Sequence, residues 1–254
     1  MDKRFWLCMA GAAASLAAGW LAPGMLLGAN PGLTALLWIT GLQEILLIGI
    51  PAALIALRSR ASLERLKQVL ALPDPVHAGL SMLGAVAFTM AGLLITLAAF
   101  GALQALGIPP DAPPAIDPGS LPQLLVAILC AALIPAVCEE LLFRGVLWAA
   151  LERRAGLRWA AAVSAFLFAA LHFTLLGFPV LLALGFLLAR VMQKRRSLIL
   201  CVLFHAMYNL SILVINYSGS NPGLFLILLS CGIAYAALRL LLKEEQHGIA
   251  NPRV

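Results

Sequence analysis

Long apolar runs separated by short polar links recur from one end of the chain to the other. A helix rising 1.5 Å per residue needs about 20 apolar residues to cross roughly 30 Å of hydrocarbon. The runs approach or exceed that length and predict transmembrane helices at 5–28, 33–57, 78–105, 121–150, 158–174, 175–192, 197–215 and 222–242. No link is long and polar enough to fold as a separate soluble domain. Residues 1–254 therefore read as one polytopic, all-α integral membrane domain with eight spans. The stretch "RSRASLERLKQVLALPD" sets leucines at helical spacing among cations, a pattern that lies along a membrane surface. The N-terminal "MDKRFWLCMAGAAASLAAG" imitates a signal peptide. Its apolar run continues to about residue 28, so a retained first helix is expected.

The cations test this count. Lys3 and Arg4 precede the first span, Arg58, Arg60, Arg65 and Lys67 follow the second, and Arg153, Arg154 and Arg158 follow the fourth. Arg190, Lys194, Arg195 and Arg196 follow the sixth, and Arg239 and Lys243 close the eighth. The links after spans one, five and seven are uncharged, and "GIPPDAPPAIDPGS" after the third carries only Asp111 and Asp117. With eight spans every cationic link falls on one side. The positive-inside rule then puts both termini in the cytoplasm of a cell-membrane protein.

Composition agrees. The chain is 63% hydrophobic and 11% charged, against about 25% charged in soluble domains. The net charge of +6 is explained by the clusters between spans and implies no nucleic-acid partner. Cys8, Cys130, Cys138, Cys201 and Cys231 all lie in apolar runs without C-x-x-C spacing, which speaks against a disulfide framework or zinc knuckle.

Against this background the polar residues inside spans stand out. A charged side chain at a helix centre costs roughly 2.5–3.5 kcal/mol to insert. "IPAVCEELLFRGVLW" at 134–148 carries three, Glu139, Glu140 and Arg144. Glu140 and Arg144 are four apart, share a helix face and can pair, whereas Glu139 is rotated away and keeps no partner on its own helix. Pro135 suggests a kink nearby. His172 is expected deep in span five, with Phe168 four residues before it as packing that fixes the ring. His205 lies in span seven with Asn209 on the same face. Counted from the cytoplasmic helix ends, Glu139, His172 and His205 lie about 16, 21 and 12 Å deep, close enough to meet in one layer. Glu44 in span two is a further candidate, as an ion-pair partner or part of a polar path. His77 and His247 read as interfacial or solvated. The plain alternative is a polar network that only holds spans four, five and seven together, at about 0.6–2 kcal/mol per hydrogen bond.

Several chemistries are excluded. There is no H-E-x-x-H, no serine in a G-x-S-x-G setting and no pair of aspartates inside the spans. Two glutamates, two histidines and an asparagine can activate water with a carboxylate as general base and stabilise an oxyanion. The same set could bind a divalent metal that activates the water, or serve a polytopic ion or metal carrier.

"EELLFR" at 139–144, "FAALH" at 168–172 and "HAMYN" at 205–209 reproduce, in order, the motifs E-E-x-x-x-R, F-x-x-x-H and H-x-x-x-N/D. In these the chain resembles the CAAX-protease and bacteriocin-processing (CPBP, or Abi) intramembrane endopeptidases and is similar to the type II CAAX prenyl protease. The motif-bearing core covers about 121–215. The resemblance implies an eight-helix bundle whose cavity is formed by helices four, five and seven. It also implies hydrolysis of a peptide bond in a prenylated or hydrophobic peptide, or a lipidated protein, within the lipid bilayer. On it, Glu139 activates water with His172, His205 and Asn209 stabilise the oxyanion, and Glu140, Arg144 and Phe168 support the site or guide the peptide. It fits a metal-free glutamate mechanism as well as a zinc ion held by Glu139, His172 and His205. Some members of such a family act in bacteriocin immunity or as non-catalytic scaffolds.

Overall fold

The computed structural model describes residues 32–57, 60–111, 116, 118–218 and 223–243. The expected span at 5–28, with Lys3, Arg4 and Cys8, lies outside the described residues, as do Arg58, Asp117 and His247. Within them every regular element is a helix. We label these α1 (Leu33–Ala56), α2 (Arg60–Val69), α3 (Pro75–Ala105), α4 (121–155), α5 (157–170), α6 (Phe178–Arg195), α7 (Leu198–Ser218) and α8 (Leu224–Leu242). A helix thus stands at each of the seven expected spans from 33 onward, with α2 where the amphipathic segment was placed.

Local sequence sets the boundaries. Asp74 accepts hydrogen bonds from the Val76 and His77 N–H groups ahead of Pro75, so α3 begins three residues before the expected start. Ser120 caps α4 in the same way, ahead of Pro122. One helical run from Leu121 to Ala170 divides at Gly156, where φ 81° and ψ 175° break the helix and separate α4 from α5. Beside the break, Glu152 takes a hydrogen bond from Trp148 Nε1 and a two-pronged ion pair from Arg196, tying the end of α4 to the end of α6.

The expected kink at Pro135 takes a different form. The helix stays continuous but widens to i→i+5 bonding at Ile128–Leu133 and again at Leu141–Leu147, and α1 widens likewise at Glu44–Gly49. A proline follows closely in two of the three cases, Pro51 and Pro135. Each removes a donor and crowds the carbonyl four residues back, at Leu47 and Ala131, both inside a widened turn. Widening relieves that clash without bending the helix sharply. Among the described residues, all four buried Asp, Glu, Lys or Arg side chains lie in these widened turns or in Ile134–Glu140 between two of them.

Charged side chains are buried within an apolar core while large apolar ones cover the outside. Leu54, Leu97, Leu121 and Phe166 are more than half exposed, whereas Glu44, Glu139, Glu140, Arg144 and His205 are buried. In water that arrangement would be costly; in lipid it is what a multi-pass bundle requires. Leu66 and Val69 of α2 rest on the core while Glu64, Arg65 and Lys67 face outward, so the helix lies along the bundle.

α4 packs between α1 and α7, α3 packs on α7 and α8, and α5 lies along α6. Two glycines set the α1–α4 approach. A Cβ on Gly41 would lie 2.9 Å from Cys130 Sγ, and one on Gly49 would lie 2.7 Å from Cys138 Sγ. Because both pairs advance together, α1 and α4 run in the same direction, as two spans separated by one other must. Cys130, Cys138 and Cys201 are buried free thiols, packed as small apolar side chains. Between α5 and α6 the backbones come close at Gly185, where a Cβ would sit 2.9 Å from Ala165 Cα. That neighbour is backbone and cannot rotate away. Gly185→Ala should therefore cost about 1–3 kcal/mol, read as a lower midpoint of thermal unfolding in detergent.

Candidate active site

The site assembles where α4, α5 and α7 meet around one aromatic ring. Phe168, on the last turn of α5, is fully buried and lies against Phe143, Arg144, His172 and His205. Its ring centroid is 5.0 Å from that of His172, 5.4 Å from that of His205 and 5.4 Å from that of Phe143. The Arg144 guanidinium lies 4.8 Å from the centre of its face, a cation–π contact.

Arg144 and Glu140 form the ion pair their spacing predicts. Arg144 Nη1 donates to Glu140 Oε1 at 2.9 Å with both side chains fully buried. Arg144 Nη2 donates to the Gly185 carbonyl at 3.0 Å, which fastens α4 to α6. Glu140 Oε1 has a second partner that the spacing does not reveal: His205 Nδ1 lies 3.0 Å away. The two motif residues on α4 and α7 are thus joined through one carboxylate oxygen, and His205 belongs to Glu140 rather than to Glu139. Asn209 follows His205 by one turn of α7 and is half-buried.

His172 departs from expectation. It lies not deep within a helix but in the turn after α5, which ends at Ala170. The chain must reverse within seven residues to enter α6, and Phe173 takes a left-handed φ of 51° to do so. That places the imidazole at the mouth of the site, 29% exposed, instead of in the wall. The turn is fastened from outside: Asp111 accepts hydrogen bonds from Leu175 N–H at 2.7 Å and Leu176 N–H at 2.8 Å. Burial opposes the Asp111 charge, but these two bonds and one from the Thr174 side chain outweigh it and hold the carboxyl below its usual range. A lowered folded-state value means that Asp111 contributes stability above the unfolded-state value, lost as pH falls through the folded one. Asp111→Asn should accordingly lower the unfolding midpoint at neutral pH, and the gap to the wild type should close below about pH 4.

His172 Nδ1 lies 2.7 Å from the Phe168 carbonyl, which can only accept, so Nδ1 is the donor. In the neutral ring the lone pair is then on Nε2, and Nε2 faces Glu139 Oε2 at 3.8 Å. That distance is too long for a hydrogen bond. Glu139 Oε2 is buried with no hydrogen-bond partner. Two acceptors facing one another across a gap suit a molecule that brings two donors, and water is the smallest of these.

Glu44 also reaches this region. Its widened turn packs against Ile134–Glu140, its carboxylate interacts electrostatically with that of Glu139, and its Oε2 is buried without a hydrogen-bond partner. Among the described residues, no three His, Cys, Asp or Glu side chains come together as a metal-binding group. Glu139, His172 and His205 accordingly form no such group.

Residues 121–211 match the family model described as "Type II CAAX prenyl endopeptidase Rce1-like". Over this segment the chain is similar to the Rce1-like family. Glu139, Glu140, Arg144, Phe168, His172, His205 and Asn209 all lie inside the match, and Glu44 and Asp111 lie outside it. The Rce1-like description names an endopeptidase. Searches of curated proteins and of solved structures gave no match.

Proposed function

We propose that this protein is an intramembrane endopeptidase that cuts a peptide bond near the C-terminus of a prenylated or hydrophobic substrate. One observation carries the reading: Glu139 Oε2, buried and unpartnered, opposite His172 Nε2 at 3.8 Å. A water between them gives up a proton to Glu139 as it attacks the scissile carbonyl, with His172 orienting it. The tetrahedral intermediate puts negative charge on the former carbonyl oxygen. Glu140 accepts the Nδ1–H of His205 and orients the ring; carrying a proton on both nitrogens, the ring donates Nε2–H to that oxygen, with Asn209 one turn further on. When the intermediate collapses, the proton held by Glu139 passes to the leaving nitrogen. Both products then leave with a balanced charge.

Glu140 and Arg144 take no proton in this scheme. Their ion pair fixes the ring of His205 and, through Phe168, the ring of His172. The chain acts as a single polytopic domain with both termini in the cytoplasm, as its charge asymmetry indicates. The test is cleavage of a farnesylated C-terminal peptide by the purified protein in liposomes. A wild-type rate indistinguishable from that of empty liposomes would reject the reading.

A further inference from the structure

His172 owes its place to a turn that its own segment holds only loosely. Phe173, the next residue, sits at φ 51°, a left-handed conformation that a phenylalanine keeps only where its surroundings impose it. Within the turn, the His172 and Phe173 N–H groups reach the Ala169 and Ala170 carbonyls at 3.3 and 3.2 Å, the long end of the hydrogen-bond range. Shorter bonds come from outside. Leu175 N–H and Leu176 N–H donate to different oxygens of Asp111, at 2.7 and 2.8 Å, so both arms of the carboxylate are used. The Thr174 hydroxyl also bonds to Asp111 and accepts the Gly177 N–H at 3.0 Å.

Asp111 is itself held firmly. α3 ends in a Schellman motif: Gly107, at φ 71°, donates to the Gln104 carbonyl at 3.0 Å, and Ile108 donates to the Leu103 carbonyl at 2.9 Å. Pro109 and Pro110 follow, each with φ fixed by its ring, and Asp111 comes directly after them. The stretch "GIPPD" is therefore a stiff arm that carries one carboxylate from the end of α3 to the turn after α5. Little conformational freedom is lost in keeping it there. Asp111 lies outside the matched segment, and no step of the scheme above uses it.

We infer that Asp111 is a positioning residue of the site: from the α3–α4 link it holds the left-handed turn at Phe173 and so sets the His172 imidazole opposite Glu139. This rests on the reading of His172 as the group that orients the water.

Asp111→Ala, assayed in liposomes well below its unfolding midpoint, should lower kcat for the farnesylated peptide on the order of 10–10²-fold, as for a displaced catalytic group, with KM little changed. Asp111→Asn keeps one acceptor oxygen for two N–H groups and should fall in between. Asp74→Ala is the matched control. It too removes a carboxylate that accepts two backbone N–H bonds, at the far end of α3, and should lower the unfolding midpoint without changing kcat. If kcat follows the midpoint equally in both variants, Asp111 is only a brace and the proposal falls. A second change tests the route. Asparagine adopts the left-handed conformation readily, so Asp111→Ala/Phe173→Asn should regain most of the lost kcat. No recovery overturns the proposal.

Nitrogen-15 spectra of histidine-labelled protein give a readout that needs no cleavage, with His172→Gln to assign the ring. The His172 Nδ1 proton, held by the Phe168 carbonyl at 2.7 Å, should exchange several-fold faster in Asp111→Ala than in the wild type or Asp74→Ala. Equal exchange in all three overturns the proposal. If the wild type cleaves nothing, the protease reading falls, while the Nδ1 proton still decides whether Asp111 holds the ring.

Discussion

Glu139→Gln should abolish cleavage and leave the fold intact. The amide has the shape of the carboxylate but cannot take a proton from water, so the general-base contribution, typically 10²–10⁴-fold, is lost. Structure should survive because Glu139 supports little of it. Its Oε2 accepts no hydrogen bond, and the buried ion pair belongs to Glu140 one residue on. An amide is also cheaper to keep in a membrane interior than a carboxylate. The purified variant should therefore melt at or slightly above the wild-type temperature while product formation falls to background. Cleavage at more than a few per cent of the wild-type rate would remove Glu139 from the chemistry.

The contrast between Glu139 and Glu140 is legible in the sequence because it rests on helical spacing alone. A four-residue step puts Glu140 and Arg144 together, and they remain together although the helix widens immediately after Glu140. Hydropathy with the cation clusters likewise locates the helices from 33 onward, since each needs enough apolar length and each cluster marks a link. What spacing cannot carry is contact between helices. His205 could face either glutamate of α4 from its depth alone; the choice of Glu140 is made by the packing of α7 against α4. Glu44 is similar, because nothing along α1 indicates that Gly41 and Gly49 let it press on α4 at Cys130 and Cys138.

The position of His172 was misread for a different reason. The link to α6 contains no charge or proline to mark its start, so the apolar run hides the end of the helix at Ala170. Pro135 shows the limit of a local rule. A proline inside a helix predicts a kink, but a widened turn upstream satisfies the same steric demand.

Arg144→Met should be the most destructive single change to the fold. The guanidinium neutralises Glu140, donates to the Gly185 carbonyl and lies on the Phe168 ring, all fully buried. Methionine fills much of the volume but leaves Glu140 with His205 as its one remaining partner. Breaking a buried pair from one side costs about 3–5 kcal/mol, because the surviving charge has lost its compensation. That is a large share of a typical total stability of roughly 5–15 kcal/mol. The variant should accumulate poorly in membranes and unfold far below the wild type. Replacing both partners tests the cause: a pair exchanged for apolar residues of similar size is often neutral or stabilising. The double variant Glu140→Leu/Arg144→Met should therefore recover most of the lost stability. It should not recover cleavage, because His205 Nδ1 then has no carboxylate to hold the ring. If stability stays low in the double variant, the loss came from Gly185 and Phe168 rather than from the stranded charge. If cleavage returns, Glu140 is not what orients His205.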